Sequence, residues 1–337
     1  MNRVAKHFPQ GHCIFYLCLG LVISVLAVAC NSDRFAIQSQ ARGSLAASQP
    51  ASECRLIQHS AGETCVPLHP QRVITLGSLS LESAIALGIQ PIATVDVDLT
   101  SPQLKRQAGS ILSVGSNGEP NLEKILALKP DLILGYDYQS SIYRQASQIA
   151  PTVLTKFNHS GEWKDMFTFV ARTLGRSQQA EQVMANYYQR LAEFKAKMGD
   201  HAQPPKVSIV YLYPEMITVY TTSGFNGSIL KDAALARPAS QDIDTEATQR
   251  KGGISPIQYG ISNEQFDAAD GDAIFVIVDP TDSKIGKTRQ RLLSDPLWSK
   301  LHAVQQGKVY EVLDYWIGSG PLAANAVIDD LFKYLLP

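Results

Sequence analysis

The sequence lacks a surplus of charge of either sign, and it lacks the short motifs that mark common enzyme classes. Its 337 residues carry 30 lysines and arginines against 31 aspartates and glutamates, which leaves a net charge of −1. Without a basic surplus, no nucleic-acid partner is expected. The chain contains no Gly-x-Ser-x-Gly nucleophile elbow, no Gly-x-Gly-x-x-Gly after a predicted strand and no P-loop. Gly252 and Gly253 stand in a predicted loop, where they indicate a turn.

Histidine is also sparse along the part of the chain that is expected to fold. Only five of the seven histidines follow the first thirty residues, and these five are scattered. A zinc or manganese carrier needs several histidine and carboxylate ligands that converge on the metal. We therefore predict no metal site and no cofactor.

Long apolar runs are absent except for one near the N-terminus. Arg3 and Lys6 precede an apolar run at residues 14–29, which ends at Cys30. A positive start, an apolar run and small residues before the cut predict a signal peptide at residues 1–29. The run is shorter than the roughly 20 apolar residues of a permanent membrane span.

The end of this run, Ala-Val-Ala-Cys, resembles a bacterial lipobox, in which the cysteine is acylated and becomes the new N-terminus. The resemblance implies that Cys30 carries a lipid. Ala27 stands where the motif usually has leucine, so a plain signal peptide and an uncleaved anchor remain alternatives. Residues 30–52 are polar and lack a helical or strand period, which predicts a flexible tether. The expected location is the cell envelope, in the periplasm or at the outer face of the cytoplasmic membrane.

Five cysteines are present, and the N-terminal prediction accounts for three of them. Two fall in the signal peptide and Cys30 takes the lipid, which leaves Cys54 and Cys65. In an exported chain, two remaining cysteines this close in sequence predict one disulfide. Loop-closure entropy gives such a bond a contribution of about 2–3 kcal/mol to stability. The alternative is a zinc site completed by His59 and His69, which an oxidising compartment disfavours.

From residue 72 onward the pattern alternates short apolar strands with helices. In the first half, the predicted elements are strands at 72–76, 92–95, 131–134 and 152–154 and helices at 80–87, 121–128 and 140–149, the first of them capped by Ser80. In the second half, they are strands at 206–213, 217–221, 273–278 and 308–312 and helices at 228–235, from 262 and at 322–336. The alternation predicts an α/β fold of two Rossmann-like lobes, at residues 53–176 and 200–337, each with a mostly parallel sheet.

A single long helix is predicted between the lobes, at residues 177–199. No glycine or proline occurs between Ser177 and Met198, and apolar residues recur at helical spacing. At 1.5 Å per residue the helix is roughly 33 Å long, about the width of a small domain. A rigid helix that joins two lobes leaves a cleft between them and limits how far they can hinge.

An internal repeat links the two halves. Glu123-Lys-Ile-Leu-Ala-Leu-Lys-Pro-Asp131 resembles Glu264-Gln-Phe-Asp-Ala-Ala-Asp-Gly-Asp272. Each segment has a polar cap two residues before the glutamate, a proline or glycine stop, and an aspartate that opens an apolar strand. Chance agreement between two generic α/β turns is the alternative to two similarly built lobes.

These strands and helices, with Ile149-Ala-Pro-Thr-Val153 and Arg237-Pro238, resemble the helical-backbone periplasmic binding proteins of ABC importers, in particular the iron-siderophore branch. The resemblance extends from residue 72 to the C-terminus. It implies a monomeric carrier that takes a ferric siderophore in the cleft and delivers it to an ABC permease and its ATPase, while its lipid holds it at the membrane. A cobalamin or haem carrier shares the fold and is the nearest alternative. An exported α/β enzyme and a structural envelope lipoprotein without a ligand are the alternatives from other classes.

In this family, one exposed carboxylate on each lobe docks into arginines of the two permease subunits. The matching positions here are Glu123 and Glu264, and glutamate–arginine pairs can be bidentate and steer docking. The structural alternative is that both are ordinary first-turn glutamates that favour the helix dipole.

The resemblance also implies where a ligand binds. A ferric siderophore has its iron fully coordinated, so its carrier needs aromatic walls and a few cations or hydroxyls rather than metal ligands. Loops that follow strands offer such residues: Ser78, Tyr136, Tyr138 and Trp163 on the first lobe, and Tyr213, Arg237 and Trp316 on the second. Packing between lobes is the alternative for Tyr213 and Trp316, and a surface ion pair with Asp232 or Asp242 is the alternative for Arg237. Arg144 is a further candidate whose orientation the helical phase does not decide.

Overall fold

The computed structural model describes residues 54–96, 102–109, 111–199, 204–279, 282–318 and 320–336. The predictions for the signal peptide, for the lipid on Cys30 and for the tether lie outside these residues. Residues from Pro50 onward form one compact unit.

The first lobe opens with a hairpin of two antiparallel strands, β1 (Cys54–His59) and β2 (Gly62–Pro67). The sulfur atoms of Cys54 and Cys65 lie within bonding distance, and their Cα atoms are 5.5 Å apart. A zinc site at these cysteines therefore has no support, because their sulfurs face each other.

The rest of the first lobe alternates strands and helices, and three of its elements, at residues 102–108, 112–116 and 163–174, are not among those predicted. In order the strands and helices are β3 (Val73–Thr75), α1 (Ser78–Ala86), β4 (Ala93–Asp96), α2 (Pro102–Ala108), β5 (Leu112–Ser116), α3 (Leu122–Ala127), β6 (Leu132–Tyr136), α4 (Ser140–Ile149), β7 (Thr152–Thr155) and α5 (Trp163–Leu174). The strands form one sheet in the order β5-β4-β3-β6-β7, and every neighbouring pair is parallel. All five residues of β6 are buried, as expected for a parallel sheet that helices cover on both faces.

One local signal and one distant side chain account for two helix starts in this lobe. The side chain of Asn121 accepts a hydrogen bond from the N–H of Lys124 and so caps α3, as predicted. Ser80 is not a cap, which corrects the prediction, because α1 begins two residues earlier at Ser78. The N–H of Ser80 donates instead to the hydroxyl of Tyr136, so a side chain distant in sequence performs the capping.

The hairpin covers the open edge of the first sheet. The N–H of Ser60 donates to the carbonyl of Leu154 at 3.2 Å, and the Thr64 hydroxyl donates to the carbonyl of Thr152 at 3.0 Å. Both carbonyls belong to β7, the edge strand. Such contacts protect backbone groups that would otherwise be open to pairing with another chain.

A single helix, α6 (Ser177–Met198), connects the lobes, as predicted. Its buried residues are Ala180, Tyr187, Leu191 and Phe194, which lie on one stripe. The stripe joins a hydrophobic core that includes residues of both lobes, among them Phe167 of the first and Phe225 of the second.

The second lobe has a mixed sheet. Its elements are β8 (Val207–Leu212), β9 (Ile217–Tyr220), α7 (Phe225–Asp232), α8 (Thr245–Arg250), β10 (Gln258–Ile261), β11 (Ala273–Val278), α9 (Ile285–Ser294), α10 (His302–Gln305), β12 (Val309–Leu313) and α11 (Pro321–Leu335). The strand order is β10-β9-β8-β11-β12, in which β8, β11 and β12 are parallel and β9 is antiparallel to both of its neighbours. The prediction that this half repeats the plan of the first therefore holds for the parallel strands but not for the β9–β10 edge.

The repeated segment has the same structural role in both lobes. Asp131 accepts from the N–H of Arg72 and donates its own N–H to the carbonyl of Arg72. Asp272 makes the same two bonds with Lys206. Arg72 and Lys206 each come just before the first parallel strand of their lobe, so the repeat is a shared way to join two adjacent strands.

Candidate functional site

The carboxyl ends of the parallel strands form the candidate site, because α/β sheets bind ligands at this edge. In the first lobe, Gln139 holds three of these ends together. Its buried side chain donates to the carbonyls of Leu76 at 2.7 Å and Asn117 at 3.1 Å, and it accepts from the N–H of Tyr136 at 2.9 Å. The loops after β3, β5 and β6 are therefore fixed relative to one another, and we call them the first-lobe edge.

Three aromatic rings gather at the first-lobe edge. Tyr138 is 52% exposed, and its ring stacks on that of Tyr136 with centroids 5.1 Å apart. Phe157, which follows β7, meets both rings edge to face, at 5.7 Å from Tyr136 and 6.1 Å from Tyr138. The cluster presents an apolar wall with Tyr138 as its outermost member.

Tyr136 supports this wall from below. It is buried, and its ring lies so close to Gly77 that a Cβ atom at residue 77 would come within 2.1 Å of it. Burial and the neighbouring phenol of Tyr138 raise the pKa of Tyr136. Burial likewise raises the pKa of Tyr138, against the hydrogen bond from its hydroxyl to Asn117. Both phenols are thus neutral at physiological pH, and Tyr138, the exposed one of the pair, can offer a ligand a hydroxyl but no charge.

The second-lobe edge follows β8, β11 and β12 and is also rich in tyrosine. Tyr213 is half-buried, receives a hydrogen bond from the amide of Gln258 at 3.1 Å, and packs against Tyr211 with centroids 4.4 Å apart. Burial, Tyr213 and nearby carboxylates raise the pKa of Tyr211 to about 12; those carboxylates are Asp279, Asp282 and Asp314. This edge therefore places the neutral phenol of Tyr211 near carboxylates.

The two predicted tryptophans do not reach either edge. Trp163 and Trp316 are both fully buried. The indole N–H of Trp163 donates to Ser228 across the lobes, and that of Trp316 donates to Asp330. Packing therefore accounts for both residues, and neither presents a surface to a ligand in this structure.

Arg237 is buried too. The sequence suggested either an accessible ligand contact or a surface ion pair with Asp232 or Asp242, and a buried side chain fits neither. Its Nη2 donates to the carbonyl of Tyr220 and to the side chain of Gln241, both at 2.6 Å. Burial lowers the pKa of Arg237 to about 9, and the charge of Asp242 opposes that shift. Arg237 thus bonds within the interior of the second lobe through Nη2, while its buried Nε and Nη1 have no hydrogen-bond partner among the described residues. Arg144 is exposed on α4.

The remaining predicted residues lie on the surface. Ser78 is exposed at the N-terminus of α1, directly after β3, and so belongs to the first-lobe edge. Glu123 is exposed in the first turn of α3, and Glu264 is exposed in the first turn of the 3₁₀ helix Asn263–Ala269. The two glutamates occupy equivalent positions, one in each lobe.

Sequence reasoning missed several residues of the edges. Phe157 and Asn117 follow β7 and β5, so the rule that ligand residues come after strands could have found them. Gln139 follows β6, so the same rule could have found it, but its partners Leu76 and Asn117 are distant in sequence. No sequence signal marks Gln258, whose partner Tyr213 follows another strand of the sheet. Glu82, also missed, is a buried carboxylate on α1 that accepts a hydrogen bond from the N–H of Ala323 on α11.

Two features are absent from the described residues. Across these residues, no helix combines the length and the apolar character that crossing a bilayer requires. No group of three or more His, Cys, Asp or Glu side chains in the same part of the chain is placed to hold a metal ion.

Two similarly built α/β lobes, one joining helix and a ligand edge on each lobe define a solute-binding protein. The family profile described as periplasmic binding protein matches residues 73–315, and the chain belongs to this family. Its members are substrate-binding proteins. Among relatives, the chain is 30% identical to the probable siderophore-binding lipoprotein YfiY of Bacillus subtilis, over 94% of this chain and 95% of that one. It is 28% identical to the Fe(3+)-citrate-binding protein YfmC of the same organism, over 93% of this chain and 96% of the relative.

A solved structure has the same fold. The crystal structure of Staphylococcus aureus SirA complexed with staphyloferrin B superimposes with a TM-score of 0.70 and 28% identity. The match covers 83% of this chain and 98% of that one. The resemblance stated from the sequence is thereby confirmed, and the two-lobe α/β fold with it.

Proposed function

We propose that this protein captures a ferric siderophore between its two lobes and delivers it to the permease of an ABC importer. The observation that carries the proposal is the pair of tyrosine-rich edges at the carboxyl ends of both sheets. The relatives named above support the choice of ligand, because their names specify siderophore or ferric-citrate binding. Cobalamin and haem have no such support.

The proposed ligand residues are those that the structure leaves accessible. On the first lobe they are Ser78, Tyr138 and Phe157, with Tyr136 as a support. On the second lobe, Tyr213 is the proposed contact. Aromatic faces and neutral hydroxyls suit a bulky, oxygen-rich complex whose iron needs no ligand from the protein.

Delivery requires a docking surface, and we propose Glu123 and Glu264 for this role. Both side chains are exposed, and they occupy the same position in the two copies of the internal repeat. One carboxylate on each lobe suits a permease built from two subunits, since each subunit can supply an arginine. The partners are then the permease and its ATPase, and a monomeric carrier fits one such complex.

The proposed location is the cell envelope, with a lipid on Cys30 as anchor after removal of residues 1–29. The name of the relative YfiY includes the word lipoprotein, which supports this proposal. The pairing of Cys54 with Cys65 suits an oxidising compartment.

Tryptophan fluorescence of the chain from residue 50 onward tests the ligand. The titration panel contains ferric hydroxamates, ferric catecholates, ferric citrate, cobalamin and haem, and the iron-free siderophores serve as controls. Saturable quenching by one ferric class, with little by its iron-free form, is the expected result. Saturation by cobalamin or haem alone would move the protein to another branch of the family, and chemical turnover of any ligand would end the carrier proposal.

A further inference from the structure

Glu82 is a carboxylate in a place where charge is costly. It lies in the middle of α1 with only 3% of its surface exposed. No lysine, arginine or histidine among the described residues forms an ion pair with it. A buried carboxylate without a cation must find its stabilisation in hydrogen bonds.

Those hydrogen bonds come from the start of another helix. The N–H of Ala323 donates to Oε1 of Glu82, and the N–H of Leu322 also stabilises the carboxylate. Both belong to the first turn of α11, a helix of fifteen residues whose own cap residue, Gly320, makes no side-chain bond. Glu82 therefore caps α11 from outside, where the helix dipole favours a negative charge.

Gly320 leaves the space that this contact needs. A Cβ atom at residue 320 would lie 2.6 Å from the carboxyl carbon of Glu82 and 2.8 Å from one of its oxygens. The backbone of Gly320 is extended, with φ −148°, so any residue could adopt it. The reason for glycine is thus the close approach of the carboxylate and not the backbone conformation.

The contact joins the two ligand edges. Helix α1 starts at Ser78, directly after β3 at the first-lobe edge. Helix α11 starts shortly after the 3₁₀ turn Asp314–Ile317, which follows β12 at the second-lobe edge. A bond between α1 and the first turn of α11 therefore sets the distance between a loop of one lobe and a loop of the other.

We propose that Glu82 is a positioning residue for ligand binding. Its cap on α11 holds the second-lobe edge at a fixed position relative to the first-lobe edge. The ligand half of this inference rests on the proposed function. The structural half, that Glu82 holds the start of α11, does not depend on any ligand and can be measured without one.

The stability of the cap depends on pH, because the carboxyl group of Glu82 can gain or lose a proton. Burial raises the pKa of Glu82 to about 7, and the N–H groups of Ala323 and Leu322 oppose that shift. Release of α11 would return the carboxyl to water and to a pKa near its ordinary value. The capped form therefore binds the proton more tightly, and the cap weakens as the pH rises from about 5 to 8.

Charged groups on the neighbouring helices are engaged elsewhere or exposed. On α2, Lys105 and Arg106 are exposed. On α11, Asp329 pairs with Arg190, while Asp330 accepts hydrogen bonds from Tyr315 and Trp316.

On the other side of α1, helix α5 carries charges of its own. Lys164 pairs with Asp232, Asp165 is exposed, and Arg172 lies over the ring of Phe169. None of these groups contributes to the shift at Glu82, for which burial and the α11 backbone account.

Amide hydrogen exchange of the ligand-free chain tests the cap. In Glu82→Ala, the amides of Leu322 and Ala323 should exchange at least about tenfold faster than in the wild type, because their acceptor is gone. Glutamine is a neutral side chain of the same shape, so Glu82→Gln should retain the protection of both amides. In the wild type, their exchange rates should rise between pH 5 and 8 by more than the ordinary pH dependence of amide exchange, and this additional rise should be absent in Glu82→Gln. Unchanged exchange of both amides in Glu82→Ala would overturn the proposal.

A second variant probes the same contact from the opposite side. Gly320→Ala places a methyl group where the carboxylate lies, and we expect it to lower the melting temperature. The same change made on Glu82→Ala should lower it much less, because the side chain that the methyl group meets is absent. Equal shifts in both backgrounds would contradict a direct contact.

Measurements of ligand affinity then distinguish a positioning role of Glu82 from a general effect of Glu82 on the stability of the fold. With the ferric complex that binds the wild type, Glu82→Ala should raise Kd about five- to tenfold, and Glu82→Gln should restore binding to within about twofold. Val170→Ala, a core change on α5, serves as a control that lowers stability while it leaves the Glu82 side chain in place, and Ser83→Ala controls for a change on α1. If Val170→Ala weakens binding as much as Glu82→Ala, Glu82 does not position the edges. If the wild type binds no ferric complex, the proposed function fails, while the exchange and melting results still judge the cap.

Discussion

The first lobe has a sheet of five parallel strands, whereas the second lobe joins three parallel strands to an antiparallel pair at one edge. Each lobe nevertheless keeps the same unit of a short capped helix, a glutamate in its first turn and an aspartate that precedes a buried strand. Asn121 and Ser262 are the equivalent caps. The comparison teaches that the two lobes share the element that carries the proposed docking glutamates, while the strands around it differ.

The ligand edges differ in the same way. The first-lobe edge gathers Tyr136, Tyr138 and Phe157 into one aromatic cluster. The second-lobe edge places Tyr211 and Tyr213 near three aspartates. The proposed docking to a permease of two subunits calls for similar contacts from both lobes, whereas the proposed capture of one ligand between the edges does not require the two walls to be alike.

The strongest test of this equivalence is charge reversal at the proposed docking residues. Glu123→Arg and Glu264→Arg should each reduce uptake of the ferric ligand by at least about 30-fold, because an arginine would face the permease arginine that the glutamate pairs with. Ligand affinity should remain unchanged, since both side chains are exposed and neither is among the proposed ligand residues. Transport into cells that depend on this carrier, measured beside Kd, checks both statements.

Glu181→Arg is the matched control for charge, because Glu181 is an exposed glutamate on α6. It should leave uptake near the wild-type rate. A large loss in only one of the two reversals would break the proposed equivalence of the lobes, and a loss of ligand affinity would place that glutamate in the cleft.

The fold was predictable wherever a local pattern and the final packing agree. Helix α6 and strand β11 have the predicted bounds, because the first carries an unbroken apolar stripe and the second is apolar throughout. Helix α7 starts three residues before its predicted start, at Phe225, since Phe225 packs on Trp163 of the first lobe. Local spacing does not contain that contact.

The site was less predictable for the same physical reason. The position of Tyr138 after β6 placed it correctly at an edge, because strand ends meet at the edge of a parallel sheet. Trp163, Arg237 and Trp316 occupy similar sequence positions, yet long-range packing buries all three. The loop rule locates candidates, and only tertiary contacts decide which side chains turn inward.

The hairpin of β1 and β2 belongs to the first lobe, and among the described residues the second lobe has no separate two-stranded sheet like it. Its disulfide offers a second test of the comparison. Replacement of Cys54 and Cys65 by serine should lower the free energy of unfolding by about 2–3 kcal/mol, since the unfolded chain regains the freedom of the open loop. Amides of β7 should lose protection, because the hairpin covers that edge, while amides of β12 should not. Equal loss of protection in both lobes would show that they unfold as one unit. Denaturant titration and hydrogen exchange provide these measurements.

The aspartates of the repeat allow a prediction of a smaller effect, namely which of two substitutions lowers the free energy of unfolding more. Asp131 accepts from the N–H groups of both Gln71 and Arg72, whereas within the described part of the chain the donor to Asp272 is the N–H of Lys206. We expect Asp131→Ala to cost about 2 kcal/mol of stability and Asp272→Ala about 1 kcal/mol, because fewer backbone donors lose a charged acceptor in the second lobe. Urea unfolding of the two variants tests the order. The Asp→Asn variants, which keep an acceptor oxygen, should fall between wild type and alanine.

The smallest effects should distinguish the two ligand walls. Tyr138 contributes mainly its exposed ring, since its hydroxyl is 3.4 Å from Asn117, whereas the hydroxyl of Tyr213 is held by Gln258 at 3.1 Å. Tyr138→Phe should therefore change Kd by less than about twofold and Tyr138→Ala by about five- to tenfold, the scale of an aromatic contact of about 1–1.5 kcal/mol.

At Tyr213, removal of the hydroxyl alone should account for most of the loss, so that Tyr213→Phe and Tyr213→Ala weaken binding by similar factors of about five. Tyr188→Ala, which removes a half-exposed ring on α6, is the control and should leave Kd unchanged. Fluorescence titration of the five variants measures these ratios. If Tyr138→Phe and Tyr213→Phe change Kd by the same factor, both walls bind the ligand through the same kind of contact. The proposed contrast between a ring contact on the first lobe and a hydroxyl contact on the second lobe would then be wrong.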